Sequence, residues 1–384
     1  MAGQVRNDVV SGVLELNENG PGHLRAPKRN YAISAEDPQM GRDLIQKHRL
    51  RGGESITATV GTGKKRRGRP MVTGVRSVGS MPLEAYHDLA PFDELQVVHP
   101  DSQIRFETPG GPMTMRIVDL FTPIGRGQRG LIVAPPRTGK TILLEQMADG
   151  IKKNYPETLL MMLLIDERPE EVTEMRRTVC KEGGGWQDGF PEVVYSSNDH
   201  EPKNHARIAK LMIEKAKRSV EMGRDVVILL DSLTRLSRAF NNLVGSSGRT
   251  MTGGLDARAL TTPKHIFGAA RKIEGGGSLT IIASVLVETG SRMDDFIFQE
   301  FKGTGNMELV LSRDLANLRI WPAMNLSESG TRKEEMLLGG ETYEKISRIR
   351  RRLVSASPVK QMETILSELS KYESNKAFLA NLAS

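Results

Sequence analysis

The sequence predicts an α/β chain in two parts: a small N-terminal β-barrel of the OB-fold type, residues 1–80, and a larger domain, residues 101–384, with a mainly parallel sheet and C-terminal helices. Three observations predict it. Short segments of the first 80 residues alternate polar with apolar side chains, whereas from Arg116 onward unbroken apolar runs alternate with amphipathic stretches. The charge divides at the same place: the first 80 residues hold 14 basic and 7 acidic side chains, while the rest of the chain is balanced. Finally, one apolar run leads directly into a Gly-Lys-Thr loop and a helix-forming stretch.

In the N-terminal part, Val9–Leu16 alternates in part. Glu54–Val60 sets Ser55, Thr57 and Thr59 against Ile56, Ala58 and Val60, a period of two that fits a half-buried strand. Met71–Val78 is a third strand. Gly20-Pro21-Gly22 and Gly52-Gly53 mark turns, and Arg42–Leu50 fits a short helix. An all-β unit of this length with a basic face fits a small barrel. Lys64-Lys65-Arg66-Arg67-Gly68-Arg69 is either a solvated loop or a phosphate-tracking one. Pro82, Pro91 and Pro100 give residues 81–100 the composition of a linker.

In the larger domain, Gly130–Val133, Leu159–Ile165, Val226–Leu230 and Leu279–Leu286 read as apolar strands, and Thr141–Lys153 and Arg207–Met222 as helices. Strands with no polar face are buried on both sides, which implies a parallel sheet covered by helices. Thr342–Leu382 reads as further helices.

Composition removes several classes. The chain has 384 residues, 38% hydrophobic and 26% charged. No apolar run reaches the roughly 18–20 residues of a membrane-spanning helix. The first 25 residues carry Glu15 and Glu18 and no apolar core, unlike a secretory signal. A single cysteine, Cys180, leaves no internal disulfide framework and no cysteine-built zinc site. A cytoplasmic chain with no membrane partner is the simplest reading. The basic N-terminal part points to a polyanion partner.

The strongest chemical signal is Ala134-Pro135-Pro136-Arg137-Thr138-Gly139-Lys140-Thr141 between a strand and a helix. It matches the phosphate loop G-x-x-x-x-G-K-[ST] with Ala in the first position. Backbone N–H groups of such a loop cradle phosphates at a helix N-terminus. Lys140 would reach the β and γ phosphates of ATP, and Thr141 would hold Mg²⁺. A metal-holding carboxylate is expected at the end of another buried strand, and Val226-Val-Ile-Leu-Leu-Asp231 ends in one. Hydrolysis needs a group to align water. Leu163-Leu-Ile-Asp166-Glu167-Arg168 closes a third strand, and Glu167 is the candidate base.

Together these blocks resemble the Rho family of bacterial transcription termination factors. The matching stretches are Ile124-Gly-Arg-Gly-Gln-Arg-Gly-Leu-Ile-Val-Ala-Pro-Pro136 with its Gly-Lys-Thr, Asp166-Glu-Arg-Pro-Glu-Glu-Val-Thr-Glu-Met175 and Leu230-Asp-Ser-Leu-Thr-Arg235. They continue through Thr252-Gly-Gly254, Phe267-Gly-Ala-Ala-Arg271, Gly277-Ser-Leu-Thr-Ile-Ile-Ala283, Glu300-Phe-Lys-Gly-Thr-Gly-Asn-Met-Glu308 and Ser329-Gly-Thr-Arg-Lys-Glu-Glu335. In order and spacing they cover about Thr114 to Leu338.

The resemblance implies a RecA-like motor domain, a homo-hexameric ring, ATP and Mg²⁺ as cofactors, and nascent single-stranded RNA, RNA polymerase and elongation factors as partners. It implies that Lys140, Thr141 and Asp231 bind Mg-ATP and that Glu167 activates water. Arg332 would be an arginine finger acting across a subunit boundary, with Arg319 beside it. Arg168 and Arg235 match arginines near the γ-phosphate. Trp321 stands where an aromatic stacks on adenine, with Thr114 and Ile142 nearby. Two segments match loops that line a central pore and grip RNA. One contains Arg249, Thr250, Thr252, Gly253 and Gly254, and the other Lys302, Gly303 and Thr304.

The N-terminal part departs from that pattern. Of 18 aromatic residues only Tyr31 lies in the first 80, and Pro21 and His23 stand near Arg25 where the family carries aromatics. Base stacking there gives way to charge, with Arg25, Lys64, Lys65, Arg66, Arg67 and Arg69 as the expected RNA contacts. The sequence starts close to the barrel, and the expectation is that the family's small helical N-terminal subdomain is absent. Two other readings stand beside the leading one: a rotary or secretion-type ring ATPase, and a non-catalytic RNA-binding protein with a relic nucleotide site.

Overall fold

The computed structural model describes residues 8–17, 20–62, 70–79, 81–180, 191–244, 254–256 and 258–382. It divides into two compact units. The first comprises Met1–Gln96, Arg207–Arg224 and Gly275–Gly277; the second comprises Val97–Ala206, Asp225–Glu274 and Ser278–Ser384.

The first unit contains β1 (Asp8–Leu16), β2 (Gly22–Arg25), β3 (Gln39–Met40), α1 (Arg42–Lys47), β4 (Ser55–Thr62), β5 (Pro70–Val78), β6 (Met81–Pro82) and α2 (Leu83–His87). The strands close in the order β1-β2-β3-β5-β4-β1, antiparallel except for the β3–β5 pair, so they form a five-stranded barrel with β6 added to β5. The alternation in β4 has its expected cause: Ile56, Ala58 and Val60 face inward with Leu14, Leu24, Met40 and Val78. The strands β2 and β3 are too short to carry a visible period, and Gly22, expected in a turn, already pairs with Met40. Gly53 has φ +88°, and a Cβ there would sit 2.4 Å from the backbone carbon of Glu214, so only glycine fits.

The stretch expected as a linker carries structure of its own. Tyr86 on α2 is buried and donates its hydroxyl to Glu54 Oε1 at 2.9 Å. The Phe92 N–H donates to Glu221 Oε1 at 2.6 Å, and Arg51 makes a two-point ion pair with the same carboxylate at 2.9 and 2.6 Å.

The second unit begins with β7 (Val97–Val98), β8 (Gln103–Ile104), α3 (Met113–Phe121), β9 (Ile124–Gly125), β10 (Arg129–Ala134), α4 (Lys140–Asn154), β11 (Leu159–Ile165), α5 (Pro169–Val179) and β12 (Glu192–Ser196). Helix α6 (Pro202–Glu221) has its first turn in this unit and the remainder in the first. The chain continues through β13 (Asp225–Asp231), α7 (Leu233–Leu243), α8 (Thr261–Gly268), β14 (Arg271–Ile273), β15 (Ser278–Leu286), α9 (Arg292–Lys302), β16 (Met307–Val310), α10 (Arg313–Asn317) and β17 (Gly330–Thr331). It ends with α11 (Glu335–Leu338), α12 (Gly340–Leu353), α13 (Pro358–Leu369) and α14 (Asn375–Asn381).

The sheet order is β12-β11-β13-β15-β10-β16-β17. Its first six strands are mutually parallel, β17 is antiparallel to β16, and β14 and β7 extend from β15. Every residue of β11 is buried, and so is all of β13 after Asp225. A strand buried on both faces has no polar side to alternate, which is why these runs read as continuous. Alternate side chains of the strands, among them Leu160, Met162, Leu164, Val227 and Leu229, pack with α3, α4 and the C-terminal helices in one apolar core. Among the described residues no helix is long and apolar enough to cross a membrane.

Candidate functional site

The site forms at the C-terminal ends of β10, β11 and β13, where parallel sheets place their ligands. After Ala134 the chain turns through Pro135–Gly139 with left-handed backbone at Arg137, φ +65°, and Gly139, φ +85°. The buried Thr138 hydroxyl donates to the Pro135 carbonyl at 2.7 Å and ties the loop to itself. Helix α4 then starts at Lys140, so the unpaired N–H groups and positive end of a 15-residue helix point at the loop, a ready site for phosphate. Thr141 is its second residue.

Three strand ends converge on Lys140. Its Nζ lies 2.5 Å from Asp231 Oδ1 at the end of β13 and 3.4 Å from Glu167 Oε1 just past β11. Burial disfavours the ammonium, but the Asp231 and Glu167 carboxylates outweigh it, and the Lys140 pKa is raised. Ser284 on β15 donates to Asp231 Oδ1 at 2.7 Å and fixes that carboxylate. Arg235, in the first turn of α7, approaches Glu167 Oε2 at 3.7 Å. Ser232 caps α7 by accepting from the Arg235 N–H at 3.2 Å. Glu167 is 3% exposed. Burial, then the Asp231 charge, push its pKa up to about 7 against the pull of Lys140 and Arg235. A carboxyl that titrates near neutrality and points at the phosphate loop can take a proton from water.

A bend after β11 presents Glu167. Asp166 has φ +58°, a left-handed conformation held by its N–H bonding to the Ser196 carbonyl at 2.7 Å, and the Asn198 N–H bonds to the Glu167 carbonyl at 3.0 Å. The Ser196 hydroxyl meets Nδ1 of the buried His205 at 2.7 Å. Arg168 begins α5 with a largely exposed side chain, 3.9 Å from Glu171.

Trp321, on the segment after α10, packs on the phosphate loop: a Cβ at Gly139 would sit 2.8 Å from its Cζ3. The ring is 44% exposed and Ile142 58% exposed, two apolar surfaces near the loop open to a planar ligand. Thr114 lies in the first turn of α3, half-buried. Arg319, φ +61° and exposed, precedes Trp321 by two residues.

Arg332 lies elsewhere. It follows β17, and its N–H donates to the Asn306 carbonyl at 2.9 Å, beside the start of β10. At roughly 3.3 Å per residue, β10 holds this end of the sheet about 16 Å from the phosphate loop. Within one chain Arg332 therefore stands at the opposite end of the sheet from Lys140. It also stands apart from Arg319, which follows the other end of β16.

The segment Lys302–Thr304 caps α9 in a tight turn, with Thr304 N–H bonded to the Phe301 carbonyl at 2.9 Å; the Lys302 ammonium is half exposed, 3.7 Å from Glu308. Gly254 is exposed with φ +81°. Arg249, Thr250, Thr252 and Gly253, like Lys64, Lys65, Arg66, Arg67 and Arg69, lie outside the described residues.

Arg25, expected as an RNA contact, is instead buried. Its Nε donates to Glu15 at 2.5 Å and its NH1 to Asp37 at 2.6 Å, because a guanidinium at 4% exposure must be paired. Tyr31, the lone aromatic of the barrel sequence, is 1% exposed and its hydroxyl accepts from Lys215 at 2.8 Å. Ser284, Ser196 and His205 carry no sequence motif of their own; only their pairing across the sheet brings them to the site.

Comparison with known proteins adds two family matches. Residues 10–84 match the RNA-binding domain of the Rho termination factor, and residues 114–331 match the nucleotide-binding domain of the ATP synthase alpha/beta family. The chain is 48% identical over 373 residues to the transcription termination factor Rho of Streptomyces coelicolor, covering 97% of this chain and 85% of that protein. It is 46% identical to the Rho of Aquifex aeolicus, covering 96% and 84%, and 45% identical to that of Rhodopirellula baltica, covering 97% and 71%. Among solved structures it resembles an ATPase from the type III secretion system of pathogenic bacteria, with a TM-score of 0.59 over 81% of this chain and 85% of that one; at 23% identity this is a likeness of fold alone.

Proposed function

Because the chain belongs to the Rho family of transcription termination factors, we propose that it is an RNA-dependent ATPase that terminates transcription by pulling on nascent RNA as a homo-hexameric ring in the cytoplasm, where it meets RNA polymerase and elongation factors. The observation that carries the catalytic part is the convergence of Lys140, Asp231 and Glu167 beneath the start of α4.

ATP binds with its phosphates at the Pro135–Gly139 loop and its base against Trp321 and Ile142. Thr141 and Asp231 offer hard oxygen donors of the kind Mg²⁺ prefers, so the residues fit that ion. When bound, it neutralises phosphate charge. Lys140, released from Asp231, turns to the phosphates. Glu167 accepts the proton of the attacking water, and Arg235 and Arg168 stand near the transferred group. Arg332 acts on the nucleotide of the neighbouring subunit, which its distance from its own phosphate loop supports. The Lys302–Thr304 turn, with Gly254 and the segment before it, contacts RNA in the ring's pore.

The test is ATP hydrolysis by the purified chain with no RNA, poly(C), poly(U) or poly(A). Stimulation by RNA is expected. ATP hydrolysis indifferent to every RNA would return the chain to the rotary or secretion type of ring ATPase.

A further inference from the structure

At the end of the sheet away from the phosphate loop, one residue joins three functional segments. Asn306 stands between the Lys302–Gly305 turn and β16. Its backbone N–H donates to the Arg129 carbonyl at 3.0 Å, at the start of the strand that leads to the phosphate loop. Its carbonyl accepts from the Arg332 N–H at 2.9 Å and from Gln128 Nε2 at 3.1 Å. Its side-chain Oδ1 accepts from Gln128 Nε2 at 2.7 Å and from the Arg129 N–H at 2.9 Å. Arg129 completes the knot: its Nε donates to the Thr304 carbonyl at 3.1 Å and its NH1 to the Ala270 carbonyl at 3.0 Å. Gln128 is 1% exposed, and its Oε1 accepts from the Gly125 N–H at 3.2 Å.

We propose that Asn306 is a positioning residue that couples the Lys302–Gly305 turn to Arg332, so that RNA held by one subunit sets the arginine presented to its neighbour's ATP. The inference rests on the reading of that turn as an RNA contact and of Arg332 as acting in trans. A shift of the turn moves Thr304; the Arg129 guanidinium bonded to its carbonyl passes the shift to the Arg129 N–H, and its bond to Asn306 Oδ1 passes it on to the residue whose carbonyl holds the Arg332 N–H. Packed, hydrogen-bonded interiors pass on such displacements instead of absorbing them. The side-chain role of Asn306 described here needs only an acceptor, at Oδ1, which separates this coupling from generic packing.

The experiment uses the full chain and compares turnover with and without poly(C), alongside poly(C) and ATP affinities. In Asn306→Leu the ratio of RNA-stimulated to RNA-free turnover is expected to fall about tenfold, the scale of one or two lost buried hydrogen bonds, with both affinities changed by less than about twofold. Asn306→Asp keeps the acceptor, and its ratio is expected to stay near that of the natural chain. An unchanged ratio in Asn306→Leu overturns the proposal, and so does a loss of RNA binding that accounts for the whole effect. If Asn306→Leu fails to fold, Arg129→Lys, which keeps the charge but loses the fork to Thr304 and Ala270, must show the same fall; no fall there overturns the proposal equally. Absence of RNA stimulation in the natural chain would instead overturn the underlying function, and the coupling with it.

Discussion

The indole of Trp321 lies so close to Gly139 that a Cβ on that residue would stand 2.8 Å from the ring, and Gly139 itself has φ +85°. Glycine is required here twice over, once by backbone conformation and once by space. The contact sets the aromatic face against the loop that starts α4, so under the proposed function the base and phosphate contacts of one nucleotide would be built on adjoining surfaces.

Gly139→Ala is therefore expected to weaken ATP binding by at least about tenfold, the scale of 1–2 kcal/mol for a non-glycine residue in this backbone region. The same strain weighs on the folded loop itself, so the melting temperature should fall as well. Titration with a fluorescent ATP analogue checks the affinity; unaltered binding would refute the packing argument.

The pH profile should report Glu167. Its pKa is raised to about 7, first by burial and then by the Asp231 charge. A general base must be deprotonated, so kcat/KM for ATP, which reflects the free enzyme, is expected to rise with pH through about 7 and to fall tenfold per pH unit below it. Glu167→Gln should remove most turnover together with this limb while ATP still binds. A limb that persists in the variant would assign it to another group.

Arg332 and Lys140 stand at opposite ends of the sheet, so under the proposed function an active site that needs both would take them from two subunits. Arg332→Ala and Lys140→Ala should each be inactive, the first by about 10³–10⁵ in rate. Rings reassembled from a mixture of the two should regain turnover, because some interfaces then hold an intact Lys140 beside an intact Arg332. Mixed rings as inactive as either parent would place the finger in cis or elsewhere.

In the first unit, Tyr86→Phe removes the hydroxyl that donates to Glu54, a residue with 0% exposure. The accepting oxygen keeps the Arg51 N–H at 2.6 Å, so the cost is that of one lost hydrogen bond, about 0.5–1.5 kcal/mol. Urea unfolding should show that loss. A change below about 0.5 kcal/mol would mean water replaces the hydroxyl.

RNA binding by the first unit should depend on charge more than on stacking, since Tyr31 is buried and engaged by Lys215. Affinities for poly(C), poly(U) and poly(A) are expected to agree within a few fold and to fall steeply with salt, by about one power of salt concentration per phosphate contact. Arg25→Ala should lower stability and leave the salt slope unchanged, because that guanidinium is paired with Glu15 and Asp37. A slope reduced by about one would make Arg25 a phosphate contact after all.

Local order along the chain determined much of this protein. The strands β10, β11, β13 and β15, the loop at Gly139-Lys140-Thr141 and the carboxylates of Asp231 and Glu167 are legible because apolar runs, turn residues and motif spacings are encoded within a few neighbours. The alternation of β4 is legible for the same reason. Tertiary structure alone decided what depends on strand order and register. It brought Ser284 to Asp231 and Asn306 to Gln128, set Arg332 at the far end of the sheet from Lys140, and buried Arg25 between two carboxylates. These pairs join residues up to 178 positions apart or turn on strands of two to four residues, too short to show a period. A side chain's partners follow from which strands lie side by side, and that is settled only when the whole sheet has closed its hydrogen bonds around a common core.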